Sequence, residues 1–397
     1  MTDNKPVYFK NLDGLRFFAF LAVFISHAAL FIGFNSESTL WLGVKKYILV
    51  NGDVGVSFFF VLSGFLITYL LFREKDSHGK ISLKNFYTRR ILRIWPVYFI
   101  TLIVGFFLLP IIVGLFSASA GNPSLLYNTP SFSVLPFYLF FLANFNLAFH
   151  GGASVPTDVL WSISVEEQFY LVWPWIIAFF PRKHLLKFIG GIILISTIYR
   201  YFNAYSLNII AYSTFSVMSD LVIGSALAIF TYTKNHKTEK LRSFIRSISG
   251  LKILCVYVFM FLLIFARHLI LDVFYQSGTA TGIIFYNIFT AIIPLILALA
   301  YAFIIFEQNE STKSLFKIGK LKTATFLGKI SYGLYSYHIY AFTIVLLIAS
   351  TLGFSIEYTS TIQWMIFSLL SLIFVFILAV VSYYGIEKWF LKAKPKD

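Results

Sequence analysis

The chain has 397 residues, 58% of them hydrophobic and only 12% charged, with a formal net charge of +15. Soluble domains carry about 25% charged residues, so the composition excludes a soluble enzyme and indicates a polytopic membrane protein. The single cysteine, Cys255, excludes an intramolecular disulfide and any cysteine-based metal cluster. An aromatic content of 20% suits a lipid-contacting bundle with interfacial belts.

The segment from Met1 to Lys10 is polar and has no cleavable signal pattern, so the first apolar run is expected to remain as a span. Runs long enough to cross a bilayer fall at about 15–34, 54–72, 94–115, 187–204, 213–232, 251–272, 281–306, 330–351 and 362–386. The region 131–181 holds two more apolar stretches, 131–149 and 160–181. The segments 1–16, 73–93, 182–187, 234–252, 313–329 and 388–397 contain 28 of the 32 Lys and Arg. The positive-inside rule then puts both termini and these basic loops in the cytoplasm. Loop 116–130 is uncharged and belongs outside, whereas Arg182-Lys183 belongs inside. Only one of the two stretches between them can cross, which gives about ten spans. The other, expected to be the stretch with Glu166 and Glu167, is re-entrant or interfacial and needs cover by protein or water. Basic charge is therefore topological, with attraction to anionic membrane lipid, and nucleic-acid binding has no support. The predicted fold is all-α: one integral-membrane helical domain over residues 1–397, with no fused soluble domain.

The first candidate is Leu12-Asp13-Gly14-Leu15-Arg16, followed by an apolar run that carries His27. Eleven residues is three turns plus a small remainder, so Arg16 and His27 share a helix face about 16 Å apart. That is about half the hydrocarbon thickness, which puts His27 near the midplane if Arg16 marks a surface. An ionisable group at that depth is a functional candidate; the alternative is a histidine bonded to a neighbouring helix as packing. Further on, Phe86-Tyr87-Thr88-Arg89-Arg90-Ile91-Leu92-Arg93 sets three arginines on one side of a helical turn. Arginine suits bidentate grip on phosphate, and a cytoplasmic anchor is the plainer reading. Glu166 and Glu167, in Leu160-Trp161-Ser162-Ile163-Ser164-Val165-Glu166-Glu167-Gln168, point about 100° apart on a helix. They do not form a matched acid/base pair; one is expected to face the site and one a structural partner. Ser331, Tyr335 and His338 share another face at i, i+4 and i+7. Two histidines without a spacing such as HExxH give little support for a metal site. Arg200 and Asp220, in consecutive spans, are expected to pair. Asp53 and Ser63-Gly64 bracket the second span, where small residues serve helix packing.

Read in order, LDGLR with His27, GVSFFFVLSGFLI, FYTRRILRIWPVY, LWSISVEEQFYLVWP, GKISYGLYSYH and SYYGIEKWF resemble the bacterial membrane acyltransferase family 3 over most of the chain. The resemblance implies an inner-membrane O-acyltransferase. Such a protein moves an acyl group, commonly acetyl, from cytoplasmic acyl-CoA to a hydroxyl of a surface or lipid-linked glycan. Acyl-CoA is then a co-substrate, and no permanently bound cofactor is expected. By the same resemblance Arg16 and His27 form the central pair, Arg90 and Arg93, with Arg89 beside them, lie on the CoA side, and Glu167 belongs to the acidic motif. His27 would act as general base or take the acyl group itself, with Glu167 or Asp13 acting on its charge. The chain departs from the family pattern at Thr214–Asp220, where no arginine precedes the aspartate. The rival reading is a lipid or glycan flippase whose polar path runs through His27, His338, Glu167 and Arg200.

Overall fold

The computed structural model describes residues 9–30, 43–117, 130–153, 155–233, 236–354 and 361–395. Loop 118–129, whose lack of charge set its expected side, lies outside the described residues, as do 1–8, 31–34 and 396–397. The described residues contain no strand. In chain order the helices are α1 (Lys10–Ala29), α2 (Gly52–His78) and α3 (Leu83–Ile103), which continues through a π turn into α4 (Leu109–Ser117). Short α5 (Leu135–Leu139) and α6 (Ala143–His150) precede α7 (Trp161–Phe179), α8 (Arg182–Phe202), α9 (Leu207–Tyr212) and α10 (Thr214–Tyr232). Then come α11 (His236–Ser247), α12 (Gly250–Gln276), α13 (Ala280–Glu310), α14 (Lys322–Lys329), α15 (Ser331–Thr351), α16 (Thr361–Ser382) and α17 (Lys388–Lys392). Among the described residues, nine helices or continuous helix pairs are long and apolar enough to cross a membrane. The chain is a polytopic helical membrane protein.

The two stretches between 131 and 181 differ in local structure, and neither is among the nine apolar candidate spans. The one with Glu166 and Glu167 is α7, an unbroken 19-residue helix. At 1.5 Å per residue it is about 28 Å long, close to a bilayer's hydrocarbon thickness. By composition it is not among the nine helices apolar enough to cross. The stretch 131–149 is the broken one. Ser131 accepts from the Ser133 backbone N–H and starts a 3-10 turn, and α5 ends after five residues. Phe141 then takes φ 56°, a left-handed backbone that ends any continuous helix. Apolarity alone did not separate the two. The helix-forming Glu166, Glu167 and Gln168 favour an unbroken α7, whereas 131–149 is rich in aromatic residues of weaker helix propensity.

Two compact units are each assembled from three stretches of chain. The first comprises Met1–Ala19, Asp53–Ser82 and Gln168–Lys329, the second Phe20–Gly52, Leu83–Glu167 and Ile330–Asp397. Helices in lipid gain little from apolar burial against each other, so close packing and hydrogen bonds must join them. In the first unit α2 is where these bonds converge. Asp53 accepts a bidentate pair from Arg267 of α12 at 2.5 Å, and Ser57 donates to Asp220 of α10 at 2.5 Å. Thr68 accepts from the Trp173 indole of α7 at 2.7 Å. Between these, α2 and α10 meet backbone to backbone. A Cβ on Gly64 would lie 1.8 Å from the Leu221 carbonyl oxygen, and one on Gly224 would lie 1.9 Å from that of Val61. Packing, the role expected for Ser63-Gly64, is what Gly64 performs.

Arg200 and Asp220 are linked through Ser219 rather than paired directly: Arg200 donates to the Ser219 hydroxyl (2.9 Å), which donates to Asp220 (3.2 Å). The buried guanidinium is also held by the carbonyls of Ser216 and Ala291. A guanidinium therefore does reach the Thr214–Asp220 stretch, supplied by α8 instead of by α10 itself.

In the second unit α15 and α16 form an antiparallel pair, and α3 packs on α15 and α17. Tyr340 of α15 donates to the Thr101 carbonyl (2.8 Å) beside Gly105, and Tyr332 donates to that of Ile94 (2.8 Å). These bonds fix α3, which carries the arginine motif, against the helix that carries His338.

Candidate active site

His27 and His338, 311 residues apart in sequence, meet in the second unit. His27 Nδ1 and His338 Nε2 are 3.0 Å apart. The other nitrogen of His338, Nδ1, lies 2.6 Å from the Tyr335 carbonyl oxygen, one turn back on α15. His338 is fully buried and His27 half-buried. The Phe20 ring stands edge-on to His338 at 6.2 Å, and Phe24 stacks on Phe342 at 4.8 Å. These rings form an apolar wall beside the pair. The carbonyl of Val23, one turn back on α1, also faces the His27 ring. At the end of α1 the Trp364 indole of α16 donates to the Ala28 carbonyl (2.8 Å) and fixes the turn that carries His27. Tyr335 is positioned through its hydroxyl, which accepts from Ser162 (2.8 Å) and donates to the Val159 carbonyl (3.3 Å). The expected face of Ser331, Tyr335 and His338 is thus the buried face of α15.

The carboxylates expected to act on His27 have hydrogen-bond partners of their own. Asp13 forms an ion pair with Arg16 at 2.7 Å, one turn apart at the start of α1. Gly14, between them, lies where a Cβ would strike the Ile318 side chain at 2.1 Å, so the LDGLR stretch also serves packing in the first unit. Glu167 accepts from the Trp95 indole at 3.1 Å, and its second oxygen, Oε1, is buried without a hydrogen-bond partner among the described residues. Arg90 is close enough to Glu167 to act on its charge, so Glu167 belongs with the arginine motif on α3. Glu166, the adjacent carboxylate, is half-buried on another side of α7.

Arg89, Arg90 and Arg93 lie within electrostatic range of Lys394, just past α17. Burial, followed by Arg93, Arg90 and Arg89, lowers the Lys394 ammonium to about 7. Arg90 stacks over the Phe86 ring at 5.6 Å, and Glu387 faces Arg93. Four basic groups sharing one place repel one another, and a polyanion would relieve that repulsion. Lys394 was not a sequence candidate. Its only signal was membership of a basic C-terminal segment, and the fold brings that segment to α3.

A family profile described as an acyltransferase domain, acyltransferase family 3, matches residues 9–384. Peptidoglycan O-acetyltransferase OatA of Listeria monocytogenes is 27% identical over 350 residues, covering 83% of this chain and 49% of that protein. A provisionally named O-acetyltransferase of Staphylococcus aureus strain COL is 28% identical over 349 residues, 84% of this chain and 50% of that one. The provisionally named peptidoglycan O-acetyltransferase YrhL of Bacillus subtilis is 29% identical over 251 residues, 59% of this chain and 35% of its own. The chain spans about half the length of the first two relatives. No solved structure matches it. By the extent of the profile match, the chain belongs to the acyltransferase domain family.

Proposed function

We propose that the chain is a membrane O-acyltransferase that moves an acyl group, acetyl by analogy with its relatives, from cytoplasmic acyl-CoA to a hydroxyl of a cell-envelope glycan. Peptidoglycan is the acceptor that two of the relatives' names carry. The observation that carries the reading is the imidazole pair: a half-buried His27 hydrogen-bonded to a buried His338, inside the helical bundle of an acyltransferase-family chain. Acyl-CoA phosphates dock on Arg89, Arg90, Arg93 and Lys394, which the positive-inside rule assigns to the cytoplasm. A pantetheine arm reaches roughly 15–20 Å, about the depth estimated for His27. His27 accepts the proton of the acceptor hydroxyl as its oxygen attacks the thioester carbonyl. The C–O bond forms, the C–S bond breaks, and the proton passes to the departing thiolate.

The test is transfer from radiolabelled acetyl-CoA to glycan and lipid fractions in membranes carrying wild type or His27→Ala. Label that depends on His27 supports the reading, and the labelled fraction identifies the acceptor class. A His27→Ala protein that inserts normally and transfers fully refutes the role of His27. No label from acetyl-, succinyl- or longer acyl-CoA with inserted wild type favours the flippase instead.

A further inference from the structure

The two imidazoles and one carbonyl fix more than proximity. A carbonyl oxygen only accepts, so the 2.6 Å contact between His338 Nδ1 and the Tyr335 carbonyl requires the proton on His338 Nδ1. Among the described residues, the groups facing the His338 ring are His27, that carbonyl and the rings of Phe20, Tyr335 and Phe342, none of them acidic. A doubly protonated His338 would be a fully buried cation without a counter-charge, a costly state in an apolar bundle. With Nδ1 protonated and the ring neutral, His338 Nε2 is a lone-pair acceptor. The 3.0 Å contact then needs its proton on His27 Nδ1. Neutral His27 is left with its lone pair on Nε2, the nitrogen on the far side of the ring from His338.

We infer that His338 is a positioning residue. Held by the Tyr335 carbonyl, it fixes the tautomer and ring orientation of His27, so that Nε2 of His27 is the atom that takes the acceptor proton. The inference deepens the acyl-transfer reading and rests on it for the reaction, while the tautomer assignment stands on geometry alone. During transfer Nε2 gains the hydroxyl proton, and the positive charge is shared through the Nδ1–H···Nε2 bond to His338. No proton moves from His27 to His338. His338 plays the part that a carboxylate plays in a serine–histidine–aspartate triad, as an acceptor that is itself neutral in the resting site. Ser162, through Tyr335, ties this chain of bonds to the first turn of α7.

The test uses full-length protein with 15N-labelled histidine in lipid nanodiscs, with His27→Gln as the assignment control among the seven histidines. The expected result is a through-hydrogen-bond 15N–15N coupling between His27 and His338, with the proton on His27 Nδ1 and a pyridine-type shift at His27 Nε2. A proton on His338 Nε2, or a pyridine-type His27 Nδ1, overturns the assignment without any activity measurement. For the reaction, His338→Phe is expected to lower kcat about 10- to 100-fold with KM unchanged, the range for losing a group that orients a functional imidazole. His338→Gln, which restores an acceptor oxygen, recovers most of that loss. Full kcat in His338→Phe overturns the positioning role. A wild type that shows the coupling and transfers no acyl group refutes the proposed function and leaves the tautomer assignment in place.

Discussion

Lys394 makes the proposed CoA site sensitive to pH in a direction that can be worked out. In the unliganded protein its ammonium titrates at about 7, because burial and then Arg93, Arg90 and Arg89 disfavour the charge. A bound polyphosphate neutralises those arginines and returns Lys394 towards its ordinary 10.5. Between those values binding takes up a proton, so affinity falls as pH rises, by at most tenfold per unit. From pH 7 to 9 the ceiling is about 100-fold; because Lys394 is only half-buried, solvent screening reduces the expectation to about tenfold. The phosphates add no slope, since their second ionisation lies near pH 6. Unliganded stability runs the other way. The unfolded chain binds more protons at Lys394 over the same window, so folding becomes more favourable as pH rises from 7 towards 10.5. The assay is calorimetric binding of desulfo-CoA, which lacks the titrating thiol, to nanodisc protein at pH 7, 8 and 9. Lys394→Gln separates this residue from Glu387, the acidic group facing Arg93. Affinity that is flat across the range, or an equal slope in Lys394→Gln, refutes the reasoning.

Two further outcomes concern the scaffold. Gly64→Ala or Gly224→Ala must push α2 and α10 apart at a backbone carbonyl and is expected to cost about 1–3 kcal/mol. The double variant should cost less than the sum, because one separation serves both; additive losses in detergent unfolding would contradict the shared contact. Tyr138→Phe removes the donor to Asp158 at 2.6 Å from a fully buried site and is expected to cost about 1.5–3 kcal/mol, read as a lowered Tm. A change within 0.5 kcal/mol would mean the bond contributes nothing net.

The apolar runs located all nine long apolar helices, though charged ends such as residues 83–93 of α3 extend beyond them, since span length and hydropathy are local properties of the chain. The i, i+4, i+7 face of α15 was legible for the same reason. Long-range partners were not. Nothing around His27 announces a histidine 311 positions on, and nothing around Asp13 or Glu167 announces their bonds to Arg16 and Trp95. Arg200 and Asp220 were placed on the right neighbouring helices, but Ser219, an unremarked residue, carries the bond between them. Lys394 had no motif to mark it, because its role comes from the packing of α17 on α3.

Phe141 sets a limit on how the sequence around the arginine motif can drift. Its left-handed backbone costs a residue with a Cβ about 1–2 kcal/mol, yet its ring lies 4.5 Å from Tyr98, 5.5 Å from Trp95 and 6.1 Å from Phe99. The backbone at this position would be easiest for glycine or asparagine, while the space around it calls for a large ring. A neutral substitution therefore has to meet two opposed demands at once, and few residues do. Trp95 shares that constraint, since it touches the Phe141 ring and donates to Glu167. Positions 95, 141 and 167 are therefore expected to change together in descent, or not at all.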